Sequence, residues 1–168
     1  MSDRRNAFLH MVRENTARLR RICRAYAEDR EDEQDLFQEI LFQAWRSLPS
    51  FEGEARPGTW LYRVALNTAL GRKRKRDVRS RAHLSEDDPV MGSRPPRPDR
   101  ELSQKRRVER LYAAIDRLSE MDRALVLMYL DEHSYAEMGD VLGLSESHVG
   151  VKLHRIRKKL SEWLEDES

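Results

Sequence analysis

Apolar positions recur at helical spacing in two separate stretches of the chain, and no segment sustains the alternation of a strand. Near the N-terminus, Phe8, Met11/Val12, Leu19, Ile22/Cys23 and Tyr26 follow that spacing and predict one helix. A second is expected to start near Asp32, a candidate N-cap. It would turn Leu36/Phe37, Ile40/Leu41, Ala44/Trp45 and Leu48 inward before Pro49 stops it. Pro57-Gly58-Thr59 announces a third, with Leu61, Val64/Ala65 and Thr68 facing the core, running on into Arg72-Lys73-Arg74-Lys75-Arg76. Further along, Val108, Leu111/Tyr112, Ile115 and Leu118 mark another helix. Ser119 to Asp122 and Ser134 to Glu137 each fit a capping box, in which the serine accepts a backbone N–H and the acid reaches back. The second box opens a short helix to Leu142, Gly143 suits the left-handed position that ends it, and Leu144-Ser145 starts a final helix to about Leu164. A short helix, a glycine turn and a longer helix make the layout of a helix-turn-helix.

Between the two blocks lie Pro89, Pro95, Pro96 and Pro98, with Gly92 and Ser93, after the acidic run Ser85-Glu86-Asp87-Asp88. Such a stretch has too little apolar content to order itself and reads as a linker. The expectation is therefore an all-α protein of two small helical domains, 1–81 and 102–168, joined by a flexible linker at 82–101.

Composition agrees with that division. Hydrophobic residues make up 39% of the 168 positions and charged residues 37%, against roughly 45–50% and about 25% in average globular chains. One thick core is out of reach; two small helical ones are not. The longest apolar run, Ala124 to Leu130, is far short of the roughly 18 residues needed to span a bilayer, and no signal-peptide pattern follows Met1. Cys23 is the single cysteine, which excludes an internal disulfide and a cysteine-based zinc site. A cytoplasmic protein without membrane insertion, metal or cofactor is expected. The net charge of +2 conceals a segment, 71–81, with seven basic residues and one acidic.

Three features carry candidate chemistry. On the final helix, at about 100° per residue, Val149, Leu153, Ile156 and Leu160 share a narrow apolar arc, while His148, Lys152, Arg155, Lys158 and Lys159 spread over the far side. One packing face and one cationic face suit a helix in a DNA major groove, whose first residues meet base edges while Lys and Arg meet phosphates. A solvated amphipathic helix is the plainer account, but the serine caps and the glycine turn favour DNA. Secondly, the run 72–76 follows Trp60 and Tyr62, with Arg63, Asn67 and Arg74 along one helical stripe. Aromatics that stack on unpaired bases beside cations that track phosphates describe a single-strand surface, although Trp60 equally suits a core. Thirdly, Glu28, Asp29, Glu31, Asp32, Glu33, Asp35 and Glu39 gather at a helix start. The helix dipole accounts for acids there. A carboxylate metal site needs ligands converging in space. A protein-docking surface would put Asp35, Gln38, Glu39 and Arg46 in a polar rim beside Leu36 and Phe37. There is no Ser/His/Asp or Cys/His set, no phosphate-cradling glycine loop and no paired-histidine motif, so no catalytic residue is assigned.

Together these motifs resemble the extracytoplasmic-function, or group-four, sigma factors of bacterial RNA polymerase. Asp35-Leu36-Phe37-Gln38-Glu39 through Ala44-Trp45-Arg46 resembles the region-two helix that docks on the beta-prime clamp helices. Thr59 to Asn67, leading into Arg72-Lys73-Arg74, resembles the segment that opens and reads the minus-ten element. Ser134 to Met138, Gly143-Leu144-Ser145 and Val149 to Arg157 resemble region four, which reads the minus-thirty-five element. The resemblance implies a specificity subunit, not an enzyme, that binds core polymerase through the clamp helices and the beta flap, binds promoter DNA, and has an anti-sigma protein as a candidate partner. It implies core binding by Asp35, Leu36, Phe37, Gln38, Glu39 and Arg46. It implies minus-ten contacts by Trp60, Tyr62, Arg63, Asn67, Arg72, Lys73, Arg74 and Arg76, and minus-thirty-five contacts by Ser147, His148, Lys152, Arg155 and Lys159. Gly150 and Val151 depart from the basic and small polar residues many relatives carry there. Two other readings remain open: a helix-turn-helix regulator that binds DNA as a dimer without polymerase, and an RNA- or single-strand-binding module led by residues 60–76.

Overall fold

The computed structural model describes residues 2–83 and 102–166, and the regular structure of these residues is entirely helical. The chain divides into two compact units. The first holds α1 (Ser2–Tyr26), α2 (Arg30–Ser47) and α3 (Pro57–His83); the second holds α4 (Leu102–Asp116), α5 (Glu120–Leu130), α6 (Tyr135–Leu142) and α7 (Glu146–Asp166). Residues 84–101, which carry nearly all of the expected linker, lie outside the described residues, and α3 runs two residues into the linker's expected range, to His83.

In the first unit the three helices pack on one another. Leu19, Ile22 and Cys23 of α1 meet Leu36, Ile40 and Ala44 of α2 and Leu61, Ala65, Leu66 and Ala69 of α3, all buried. Helix α2 starts earlier than its pattern predicts. Asp29, in extended backbone, is the N-cap, and its carboxylate accepts the Asp32 backbone N–H at 2.8 Å. Asp32 instead sits in the first turn, and its own carboxylate accepts the Glu28 N–H at 2.9 Å. Beyond Ser47 the chain tightens into a single 3-10 turn, Leu48–Ser50, containing Pro49. Helix α3 opens on Pro57, whose missing N–H costs nothing there. Next to it, a Cβ on Gly58 would lie 3.0 Å from Asn15 Oδ1, so the glycine lets α3 begin hard against α1.

In the second unit α5 is the central element. Its residues Arg123 to Met128 are all buried, as a helix apolar on nearly every side should be. Helices α4, α6 and α7 pack around it. The Ser134–Glu137 box forms in full, with Ser134 N–H to Glu137 at 2.8 Å and Glu137 N–H to Ser134 Oγ at 3.1 Å. At Ser119 the serine accepts the Asp122 N–H, but the Asp122 carboxylate takes Lys152 Nζ of α7 at 3.0 Å, so the box gives way to a tie between helices. Gly143 ends α6 with a φ of 71°. Gly139 is required for a different reason, since a Cβ there would stand 2.4 Å from the Leu144 carbonyl oxygen.

Candidate functional site

Helix α3 separates the expected single-strand surface into two faces. Leu61, Tyr62, Ala65, Leu66 and Ala69 point into the unit, and two turns on the same side come Arg72 and Arg76. Tyr62 is 1% exposed, so its ring is part of the core rather than of the expected base-stacking surface. Arg72 and Arg76 are likewise drawn inward, onto the acidic start of α2. Arg72 bonds Asp32 and, at 3.0 Å, Glu39. Arg76 bonds Asp32 at 3.2 Å and Glu28 at 2.8 Å, with a further bond to the Tyr26 carbonyl at 3.3 Å. Acids gathered before and within the start of α2, among them Glu39 of the expected docking rim, and two of the cations expected to track phosphate thus neutralise one another in part.

The charges register this. Burial works against the Asp32 carboxylate, but the Glu28 N–H and the guanidinium groups of Arg72 and Arg76 more than compensate and lower its pKa. Burial works against the Arg72 cation too, and Glu39 and Asp32 reverse the effect and raise its pKa. Close by, burial pushes the Cys23 thiol up to about 12.

The opposite face of α3 keeps the remaining candidates. Trp60 is half-buried, its ring tilted against Phe51 with centroids 5.0 Å apart, which makes it neither core nor free. Arg63, Asn67 and Arg74 share its stripe, with Asn67 and Arg74 exposed.

On α2 the outward face holds Asp35, Gln38 and Arg46, all exposed, with Glu39 at its edge, half-exposed and bonded to Arg72. Leu36, expected within the rim, is 1% exposed and belongs to the core. Phe37 is half-buried beneath the Arg20 guanidinium, 5.3 Å from its ring centroid. The apolar centre of this face is a residue the periodicity did not single out: Phe42, 61% exposed, between Asp35 and Arg46. Its signal was a phenylalanine out of register with Leu36, Ile40 and Ala44. Trp45, expected inside, is 44% exposed and meets Phe8 edge-on at 5.1 Å.

On α7 the arc of Val149, Leu153, Ile156 and Leu160 is buried as its spacing predicts. Ser145 caps the helix, accepting the His148 N–H at 3.2 Å. Ser147, His148, Arg155 and Lys159 stand exposed on the outer face. Lys152 does not join them, because Asp122 holds its ammonium. Among the described residues no group of three or more His, Cys, Asp or Glu could hold a metal ion, and no helix is long and apolar enough to cross a membrane.

Residues 11–79 match the family model described as Sigma-70 region 2, and residues 108–160 match Sigma-70, region 4. The chain is 30% identical to the ECF RNA polymerase sigma factor SigE of Mycolicibacterium smegmatis over 92% of its own length and 60% of that protein's. It is 32% identical to the RNA polymerase sigma factor YlaC of Bacillus subtilis, over 77% of this chain and 76% of that one. Its fold resembles the sigma factor RpoE in the co-crystal structure with the anti-sigma factor NepR from Bartonella quintana. That likeness has a TM-score of 0.69, 21% identity and 98% of each chain covered.

Proposed function

The chain belongs to the extracytoplasmic-function sigma factors of RNA polymerase, and we propose that it directs promoter-specific transcription initiation by using its two helical units on two promoter elements. The observation that carries this is the pairing, in one chain, of an α3 stripe fit for unpaired bases with a capped, glycine-turned helix-turn-helix whose second helix is cationic outward. The first unit docks on core polymerase through Asp35, Gln38, Phe42 and Arg46 of α2, an apolar centre inside a charged rim, with Phe37 and Glu39 at its border. Trp60, Arg63, Asn67 and Arg74 serve the minus-ten strand, where aromatic stacking worth about 1–3 kcal/mol per base offsets unstacking. The second unit lays α7 in the major groove of the minus-thirty-five element, with Ser147 and His148 near base edges and Arg155 and Lys159 reaching bases or phosphates. Lys73 supports the minus-ten contact, while Arg72, Arg76 and Lys152 act through internal ion pairs. Action is by binding; no catalytic step is assigned to the chain, and its place is the cytoplasm with the genome. An anti-sigma protein, the class of partner that RpoE carries in its co-crystal structure, is proposed here too.

Reconstituted transcription tests the reading. Purified chain with sigma-free core polymerase on a promoter library should yield defined start sites absent with core alone. Tight duplex binding by the chain alone, with no start sites, would instead establish the stand-alone regulator.

A further inference from the structure

The outer face of α7 carries one residue that neither charge nor packing accounts for. Val151 is 49% exposed. At about 100° per residue it points roughly 170° away from the mean direction of Val149, Leu153, Ile156 and Leu160, the side chains that fasten the helix to its unit. It therefore marks the crest of the outward face. Ser147 lies one turn before it and Arg155 one turn after, both exposed, with His148 beside them.

A β-branched apolar residue is a poor choice for an exposed helical position, where it loses rotamer freedom and gains no burial. Single exposed hydrophobes are common, but this one sits in the second turn of the second helix of a helix-turn-helix, on its crest. Directly before it the surface is also low. Ser147 is short, and Gly150 has no side chain; the Tyr135 ring of α6 lies 3.5 Å from where its Cβ would be. Long side chains flank the crest at His148, His154 and Arg155, while the positions directly before Val151 on it are low, so a short side chain there reaches a groove floor that the flanking residues straddle.

In the major groove only thymine offers an apolar group, its C5-methyl, and small apolar side chains recognise it by contact. We propose that Val151 is a specificity-determining residue, its methyl groups meeting the C5-methyl of one thymine in the duplex element that α7 reads. The inference rests on the reading of α7 as the groove helix.

The test uses the chain bound to core polymerase and the upstream duplex element recovered by start-site mapping. Each thymine of that element is replaced singly by deoxyuridine, which removes the methyl and keeps the base pair. Wild-type holoenzyme should lose affinity about fourfold at one thymine, the worth of one buried methyl group. Val151→Ala should bind the thymine duplex about fourfold more weakly and be indifferent to the replacement. Arg155→Ala is the companion variant and should weaken binding whichever thymine is replaced. Equal responses of wild type and Val151→Ala at every position, with Arg155→Ala still weakened, would overturn the role of Val151 and leave the groove reading standing. Full affinity in Arg155→Ala together with no recoverable upstream element would overturn both. Thermal unfolding of Val151→Ala should match wild type or exceed it, since alanine is the better helix former.

Discussion

Replacing Asp32 with alanine separates the two accounts of the charged segments. If the acids of α2 and the cations of α3 are solvated surfaces waiting for partners, the change costs the free protein little. The structure says otherwise. Asp32 accepts the Glu28 N–H at 2.9 Å and meets both Arg72 and Arg76, and only 16% of its side chain is exposed, against 28% and 26% for the arginines. Exposed pairs contribute about 0.2–1 kcal/mol each, and these partly shielded ones lie at the upper end. A hydrogen bond from a backbone amide adds about 1 kcal/mol. Asp32→Ala should therefore destabilise the first unit by about 3 kcal/mol, or roughly 15 °C in melting midpoint, while the exposed Asp35→Ala should change it by less than about 0.5 kcal/mol. Urea unfolding of both variants, read by circular dichroism, measures this. The pH dependence has a fixed sign. A carboxyl with a lowered folded-state pKa contributes fully above the ordinary aspartate value near 4, and that contribution fades as pH falls through the lowered value. The gap between wild type and Asp32→Ala should stay constant from about pH 8 to 5 and close only below about 4. Asp32→Ala within about 0.5 kcal/mol of wild type at pH 7 would refute the internal network.

Gly139→Ala should cost the second unit more than about 2 kcal/mol, because its Cβ meets a backbone carbonyl oxygen that cannot move alone. Gly150→Ala, whose Cβ makes only ordinary contact with the Tyr135 ring, should instead stabilise that unit by up to about 1 kcal/mol; denaturant unfolding reads both. Cys23, buried with its thiol pushed up to about 12, should react with an alkylating reagent at pH 8 about a thousandfold slower than in the urea-unfolded chain. Comparable rates would mean that α1 opens readily. Phe42→Ser should weaken docking on core polymerase tenfold or more without lowering the melting midpoint, whereas Leu36→Ser should unfold the first unit. A Phe42→Ser variant that docks like wild type would remove the apolar centre from the rim.

The fold was largely legible because helix caps and helix registers are local. The Ser134–Glu137 box, Gly143 and the arc Val149, Leu153, Ile156 and Leu160 stand where the spacing puts them. The start of α2 was misread at Asp32 because two aspartates three apart both suit a cap. Asp29 wins because its extended backbone aims the carboxylate at the Asp32 N–H. Ser119 and Asp122 fit the box equally well on paper, but Asp122 has a cation within reach on α7, a helix some thirty positions later, and no local pattern reveals such a partner.

The site was less legible, and the reason is rotational rather than chemical. Reading residues as contiguous motifs merges the two faces of a helix that any face-specific interface must separate. Tyr62 lies in line with Leu66 and Ala69, and Arg72 and Arg76 fall seven residues after Ala65 and Ala69, so the register alone turns all three toward the core. The same arithmetic sets Leu36 inward with Ile40 and turns Phe42 outward among Asp35 and Arg46. A run of five cations therefore marks where charge is concentrated, not which members of it meet DNA. Arg72 and Arg76 carry the face of α3 onto the acidic turn of α2 and, through Asp32 and Glu39, hold two helices together. Arg74, about half a turn away, shares the stripe of Trp60, Arg63 and Asn67. Charge on one side of α3 thus serves the fold, and the proposed minus-ten contact draws on charge on the other side. A substitution series along 72–76 should accordingly alternate: loss of stability with folding-dependent loss of DNA binding at Arg72 and Arg76, and at Arg74 a loss of DNA binding that exceeds any loss explained by folding.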